Sequence, residues 1–101
     1  MKKKDGELMK FEWDPLKSKS NLFKHKVSFD EAKTVFDDRN AVTLFDEDNS
    51  LGEDRFIIIG ESADFRELFV CHCYRGENPE VIRIISARKA NNSELDIYYG
   101  R

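Results

Sequence analysis

The chain is predicted to be a single α+β domain, with two N-terminal helices and a C-terminal helix packed on a mostly antiparallel sheet of about four to five strands. Three observations predict this. Two helix starts, each marked by a capping residue, fall within residues 14–36. Four apolar runs of strand length follow within 41–87, and only short turn-rich segments separate the elements. Helices followed by a run of strands are the order of α+β folds, not the strand–helix alternation of parallel α/β folds. With 101 residues there is room for one domain and one core. Residues 1–9, which include Lys2, Lys3 and Lys4, read as a flexible basic N-terminus.

Lys10-Phe11-Glu12-Trp13 alternates charged and aromatic side chains and reads as a short strand. Asp14 before Pro15 starts a helix, because Asp offers an oxygen to free amides and Pro suits the first helical position. That helix runs over roughly 15–26, with Leu16, Leu22 and Phe23 on one side and lysines on the other. Ser28 caps a second helix, and Glu31 stands three residues on, as a capping box requires. Phe29, Ala32, Val35 and Phe36 form its apolar stripe, and Asp37-Asp38-Arg39-Asn40 ends it.

Residues 41–45 are the first strand-like run, followed by the acidic loop DEDNSLGED at 46–54. The run 55–60 carries Phe56-Ile57-Ile58-Ile59, apolar on both faces, and is predicted to be central in the sheet. A turn lies within 61–65. The run 67–75 then joins 81–87 through Gly76-Glu77-Asn78-Pro79, a connection short enough to demand antiparallel pairing. The tail from Asn91 or Asn92, with Leu95, Ile97 and Tyr98, reads as a short helix.

Apolar residues make up 40% and charged residues 37% of the chain, the balance of a folded protein with a charged surface. No stretch approaches the ~18 apolar residues of a membrane span, and no apolar run follows the basic N-terminus, so a cytoplasmic location is expected. The net charge of −3 is unevenly spread. Residues 37–67 carry ten acids against three arginines, whereas 15–33 carry five lysines against two acids. A polyanion would be repelled by the middle and attracted to the rest, so net charge does not exclude an RNA ligand.

Cys71 and Cys73 alternate with His72 on one strand. Same-face neighbours on a strand lie ~6.5–7 Å apart, too far for a relaxed disulfide. His72 points the other way and no second ligand pair follows, so both thiols are expected to be reduced and no metal is expected. The sequence has no nucleotide-binding, EF-hand or zinc-protease motif, and no cofactor is expected. The acidic loop reads as solvated turn residues.

Chemistry is concentrated in the last two strands. Alternation sends Val81, Arg83, Ile85 and Ala87 to one face and Ile82, Ile84, Ser86 and Arg88 to the other. Arg83 in this apolar run either pairs with an acid such as Glu53 or Glu67, or stands on an open face where its planar fork suits a phosphate. Two hairpin registers fit. One sets His72 opposite Arg83; the other sets Cys73 there, brings Arg75 beside Arg83 and turns His72 to the helices. Lys24 and His25 close the first helix, where cations meet the negative pole of the helix dipole.

Several segments together resemble one family. They are F-E-W-D, Lys17, Asn21, Lys24-His25, Ser28-Phe29, Glu31-Ala32 and Val35-Phe36-Asp37-Asp38, then Glu53 and Arg55, Gly60, F-V-C-H-C-Y-R, and R-I-I-S-A-R-K-A with Glu94 and Tyr98 behind. This order, from Lys10 to Tyr98, resembles the BrnT toxins. Three departures stand out: Lys26 where the family usually has Gly, Cys73 where Thr is common, and a less basic tail at Leu95–Tyr99.

The resemblance implies a RelE-like ribonuclease fold and a metal-independent endoribonuclease that slows translation. It implies a BrnA-type ribbon-helix-helix antitoxin as partner, contact with DNA only through that antitoxin, and a heterotetramer built on the antitoxin dimer. The RNA 2′-hydroxyl would attack the adjacent phosphate, so the protein must move protons and stabilise phosphorane charge. On this view Arg83 and Arg88 stabilise that charge, and Arg75, Lys89, Lys24 and His25 hold RNA. His72, or His25, is the acid or base, and Tyr98 stacks on a base or shares a proton. The alternative from a different class is an inactive relative that serves as a partner-binding or co-repressor module.

Overall fold

Short polar side chains set the helix starts. In the computed structural model, which describes residues 9–75 and 81–101, β1 (Lys10–Glu12) leads into α1 (Pro15–His25). Asp14 Oδ1 accepts from the Leu16 amide at 2.9 Å, with Pro15 in the first turn. Ser28 Oγ accepts from the Glu31 amide at 3.0 Å and opens α2 (Phe29–Lys33). The Glu31 carboxylate does not return to the cap as predicted. It binds the Arg66 guanidinium and the Ser62 hydroxyl, and so ties the helix to the sheet. α2 is shorter than its apolar stripe and tightens into a 3-10 turn (Thr34–Asp37), which still leaves Phe29, Ala32 and Val35 fully buried.

The strands follow as β2 (Val42–Phe45), β3 (Phe56–Glu61), β4 (Glu67–Tyr74) and β5 (Val81–Lys89), with a 3-10 turn (Glu47–Asn49) in the acidic loop. α3 (Asn92–Tyr99) ends the chain behind a complete capping box between Asn91 and Glu94. The predicted connection at 76–79 and the basic N-terminus up to residue 8 lie outside the described residues.

The five strands form one mixed sheet in the order β1-β5-β4-β3-β2. β2 to β5 are antiparallel neighbours, and β1 adds in parallel to the first residues of β5, with Glu12 beside Arg83. The core lies between one sheet face and α2, where Val27, Phe29, Ala32 and Val35 meet Ile58, Leu68, Val70, Ile82, Ile84 and Ala87. Gly60 is required for that packing, since a Cβ there would sit 2.8 Å from Val35 and 3.0 Å from Ala41.

The helices do not share a face. α3 lies over the opposite one, tied down by Arg88–Glu94 and Tyr99–Glu67, at the end of the sheet where Ile59 is fully buried. Among the described residues no helix is long and apolar enough to cross a membrane.

Candidate functional site

A one-residue irregularity in β5 decides which side chains meet. Cys71 pairs with Ser86 but the next residue, His72, pairs with Ile84, so Ile85 is extra. Such a bulge breaks strict alternation. The predicted separation of Arg83 from Ser86 and Arg88 is therefore overturned. Arg83 pairs with Cys73, Ser86 with Cys71 and Arg88 with Phe69, all on the sheet face away from the core. Of the two hairpin registers, the structure takes the one that sets Cys73 opposite Arg83.

At one end of this face three charged side chains converge. Glu12 Oε2 lies 3.1 Å from Arg83 Nη1 and 3.4 Å from Arg75 Nε. β1 supplies the carboxylate, β5 and the end of β4 the guanidiniums, and all three are roughly one-third to one-half exposed.

Beyond β1 the edge of β5 would be bare, and α1 covers it. Asn21, the one buried residue of α1, accepts from the Ala87 amide at 3.1 Å and donates to the Ala87 carbonyl at 2.8 Å and the Val27 carbonyl at 2.9 Å. Its amide thus stands in for a neighbouring strand. The docking leaves a recess between helix and sheet lined by Lys17, Ser20, Asn21, Lys24, His25, Ile85 and Ser86. Lys17 and Lys24 are exposed, so one wall of the recess is cationic.

Arg88 is held differently from Arg83. It makes a two-pronged pair with Glu94, 2.9 Å at each oxygen, donates to the Lys89 carbonyl at 3.1 Å and stacks 4.0 Å over Phe69. Burial pushes the Glu94 carboxyl up, but hydrogen bonds from Arg88 and the Asn91 amide outweigh it and hold the group below the usual range.

The remaining predicted residues are elsewhere. His72 is fully buried among Phe36, Phe56 and Tyr74, its ring nitrogens have no hydrogen-bond partner among the described residues, and burial pushes its imidazole down to about 4. It faces Phe36 in the 3-10 turn that follows α2 and cannot touch a ligand on the opposite side, so the acid–base role expected of it is corrected to that of a core aromatic. Tyr98 donates to Asp38 Oδ2 at 2.6 Å, where burial and that carboxylate hold its phenol protonated. It latches α3 beyond β3 and is not brought to Arg83.

Lys89 pairs with Leu68, on the other side from Arg88, and lines a separate recess with Phe65, Arg66, Glu67, Ala90 and Leu95. Burial raises both the Cys71 and Cys73 thiols, and both cysteines are free. Among the described residues no group of three or more His, Cys, Asp or Glu side chains is placed to hold a metal.

The structure thus brings together Arg75 and Arg83, and separately Lys24 and His25, along one side of β5. It adds Glu12, Lys17, Ser20 and Ser86, which were not singled out as site residues. The alternation of Glu12 with Phe11 and Trp13 was the one signal in the sequence that its side chain leaves the core.

Three comparisons with known proteins bear on this arrangement. The family described as "Ribonuclease toxin, BrnT, of type II toxin-antitoxin system" matches residues 13–94. Among solved structures, the chain is similar to the ribonuclease toxin BrnT of Brucella abortus, with a TM-score of 0.62 at 26% identity, covering 83% of this chain and 99% of that one. No curated protein sequence matches.

Proposed function

Since the chain belongs to the BrnT family of ribonuclease toxins of type II toxin–antitoxin systems, we propose that it cuts RNA on the β5–α1 surface by proton transfer and charge stabilisation, without a metal. One observation carries this reading. The bulge at Ile85 sets Arg83 and Ser86 on the side that α1 walls with Lys17, Lys24 and His25. Arg83 neutralises charge building on the phosphorane, where preorganised donors act most strongly. Arg75, Lys17, Lys24 and His25 hold flanking phosphates, a positioning role that needs no base contact. Arg88 holds α3 in place and acts on RNA only through its field.

Cleavage slows translation in the cytoplasm, and a BrnA-type ribbon-helix-helix antitoxin neutralises the toxin in a heterotetramer built on the antitoxin dimer. DNA is met only through that antitoxin. The arrangement of helices on a mainly antiparallel sheet supports kinship with RelE-like ribonucleases.

The test is induced expression in a bacterial host, paired with cleavage of total RNA by the purified protein in EDTA. Wild-type protein is expected to arrest growth and cut RNA. Arg83→Ala, still folded, is expected to lose about 10²–10³-fold in rate. One observation favours a second reading, a partner-binding module: Arg83 and Arg88 both already meet carboxylates. A harmless, inert wild type that still binds its antitoxin would establish that reading and sink the first.

A further inference from the structure

RNA cleavage by an internal 2′-hydroxyl needs a proton acceptor beside the scissile phosphate. His72 is buried on the core side, and Tyr98, tied to Asp38, is not brought to Arg83. Burial keeps the two thiols of this face protonated. His25 does line the α1–β5 recess, but it ends α1 whereas the Arg83 cluster lies at its start. Among the described residues no contact joins His25 to Arg83, whose side-chain partner is Glu12.

Glu12 has the position that these groups lack. Both guanidiniums of the cluster address the same oxygen, Oε2, and the side chain is 40% exposed, so solvent and a ligand reach it. Its backbone is fixed by the parallel register that sets Glu12 beside Arg83. We propose that Glu12 is the general base of the cleavage, an assignment that rests on the ribonuclease reading above. A phosphate entering between Arg75 and Arg83 takes over the ion pairs now made to Oε2, as the planar fork allows. The exchange frees the carboxylate at the moment the substrate is held.

Glu12 then takes the proton of the 2′-hydroxyl. The 2′-oxygen forms a bond to phosphorus, the bond from phosphorus to the 5′-oxygen breaks, and the 5′-oxygen leaves with a proton from water. The products are a 2′,3′-cyclic phosphate and a 5′-hydroxyl, after which Glu12 returns its proton to solvent. The extra charge on the non-bridging oxygens falls to Arg83 and Arg75.

The experiment is steady-state cleavage of a short single-stranded RNA by the full chain, with Glu12→Gln and Glu12→Asp beside the wild type. Binding of the all-deoxy oligonucleotide, which has no 2′-hydroxyl, is measured in parallel. Glu12→Gln is expected to lower kcat by about 10²–10⁴-fold while KM and deoxy-oligonucleotide affinity hold steady or tighten, since a negative charge has left the surface. Glu12→Asp keeps the carboxylate and is expected to recover part of the rate, which a merely structural role would not produce.

Cleavage by Glu12→Gln within threefold of wild type overturns the assignment. So does a loss of affinity that matches the loss of rate, or a rate in Glu12→Asp no better than in Glu12→Gln. A wild type inert toward RNA, both alone and with ribosomes, overturns the ribonuclease reading and this assignment together. The first three results leave that reading standing.

Discussion

Replacing Asn21 with alanine tests how the recess is built. The Asn21 amide makes three buried hydrogen bonds, to the Ala87 amide and carbonyl and to the Val27 carbonyl, at 2.8–3.1 Å. Each such bond contributes about 0.5–1.5 kcal/mol net, and a backbone group left buried without a partner costs about 1–3 kcal/mol. Part of that loss is recovered where water enters beside the truncated side chain, because the recess is open on the Ser20 and Lys24 side. The net destabilisation is therefore about 3 kcal/mol, which for a domain of this size lowers Tm by roughly 12–24 °C. Asn21→Asp is expected to be at least as damaging. It keeps an acceptor for the Ala87 amide but turns an oxygen toward two carbonyls. Thermal and urea unfolding followed by circular dichroism measure both. A loss below 1 kcal/mol in Asn21→Ala, or an aspartate variant as stable as wild type, would refute the claim that this amide substitutes for a neighbouring strand.

Two further outcomes follow from single residues. His72 titrates at about 4 in the folded chain and near 6.5 unfolded, so its contribution is fully present above pH 6.5 and is lost as pH falls toward 4. Linkage gives a loss of about 2 kcal/mol at pH 5. His72→Phe is expected to remove that increment from the difference in urea stability between pH 7 and pH 5, and an unchanged difference would place the imidazole in water. Lys26, at the end of α1, holds φ 60 and ψ 32, the left-handed conformation that glycine adopts without strain. Lys26→Gly is expected to gain about 0.5–1 kcal/mol, roughly 2–8 °C in Tm, whereas a loss would show that the contacts of Lys26 with Phe23 outweigh the strain.

The parts of the fold legible in the sequence were those set by neighbours in the chain. Asp14 with Pro15, Ser28 and Asn91 each act on amides two or three residues away, and all three cap the helices they were expected to open or flank. The strand runs are likewise local patterns, and each falls within two residues of its observed span. What was not legible depends on two distant segments at once. The bulge at Ile85 is a mismatch between β4 and β5, and R-I-I-S-A-R carries no glycine or proline to mark it. The pairing of β1 with β5 places Glu12 at Arg83 across 71 positions, and nothing near Glu12 announces it. The role of Asn21 at the bare edge of β5 follows only from that same pairing. The site was thus half visible. Its basic side chains could be named from the sequence, while the carboxylate and the shared surface come from register.

Register also separates two arginines that look alike in the sequence. Each meets a glutamate, so the choice between holding the fold and holding a phosphate turns on how firmly each is held. Arg88 spends both terminal nitrogens on Glu94, adds a backbone carbonyl and covers a phenyl ring, with Glu94 only 12% exposed. Charge-assisted hydrogen bonds of this kind contribute about 1.5–3 kcal/mol each, and freeing Arg88 would also leave Glu94 in a poorly solvated position. Arg83 makes one contact with a carboxylate that is 40% exposed, the type of ion pair measured at about 0–1 kcal/mol. A phosphate that displaces Glu12 from Arg83 replaces one exposed ion pair with another and releases the carboxylate into water. At Arg88 the same exchange would begin to detach α3. Of the two arginines, Arg83 alone leaves the fold indifferent to a change of partner, and there the exchange yields a phosphate-bound guanidinium and a free carboxylate side by side.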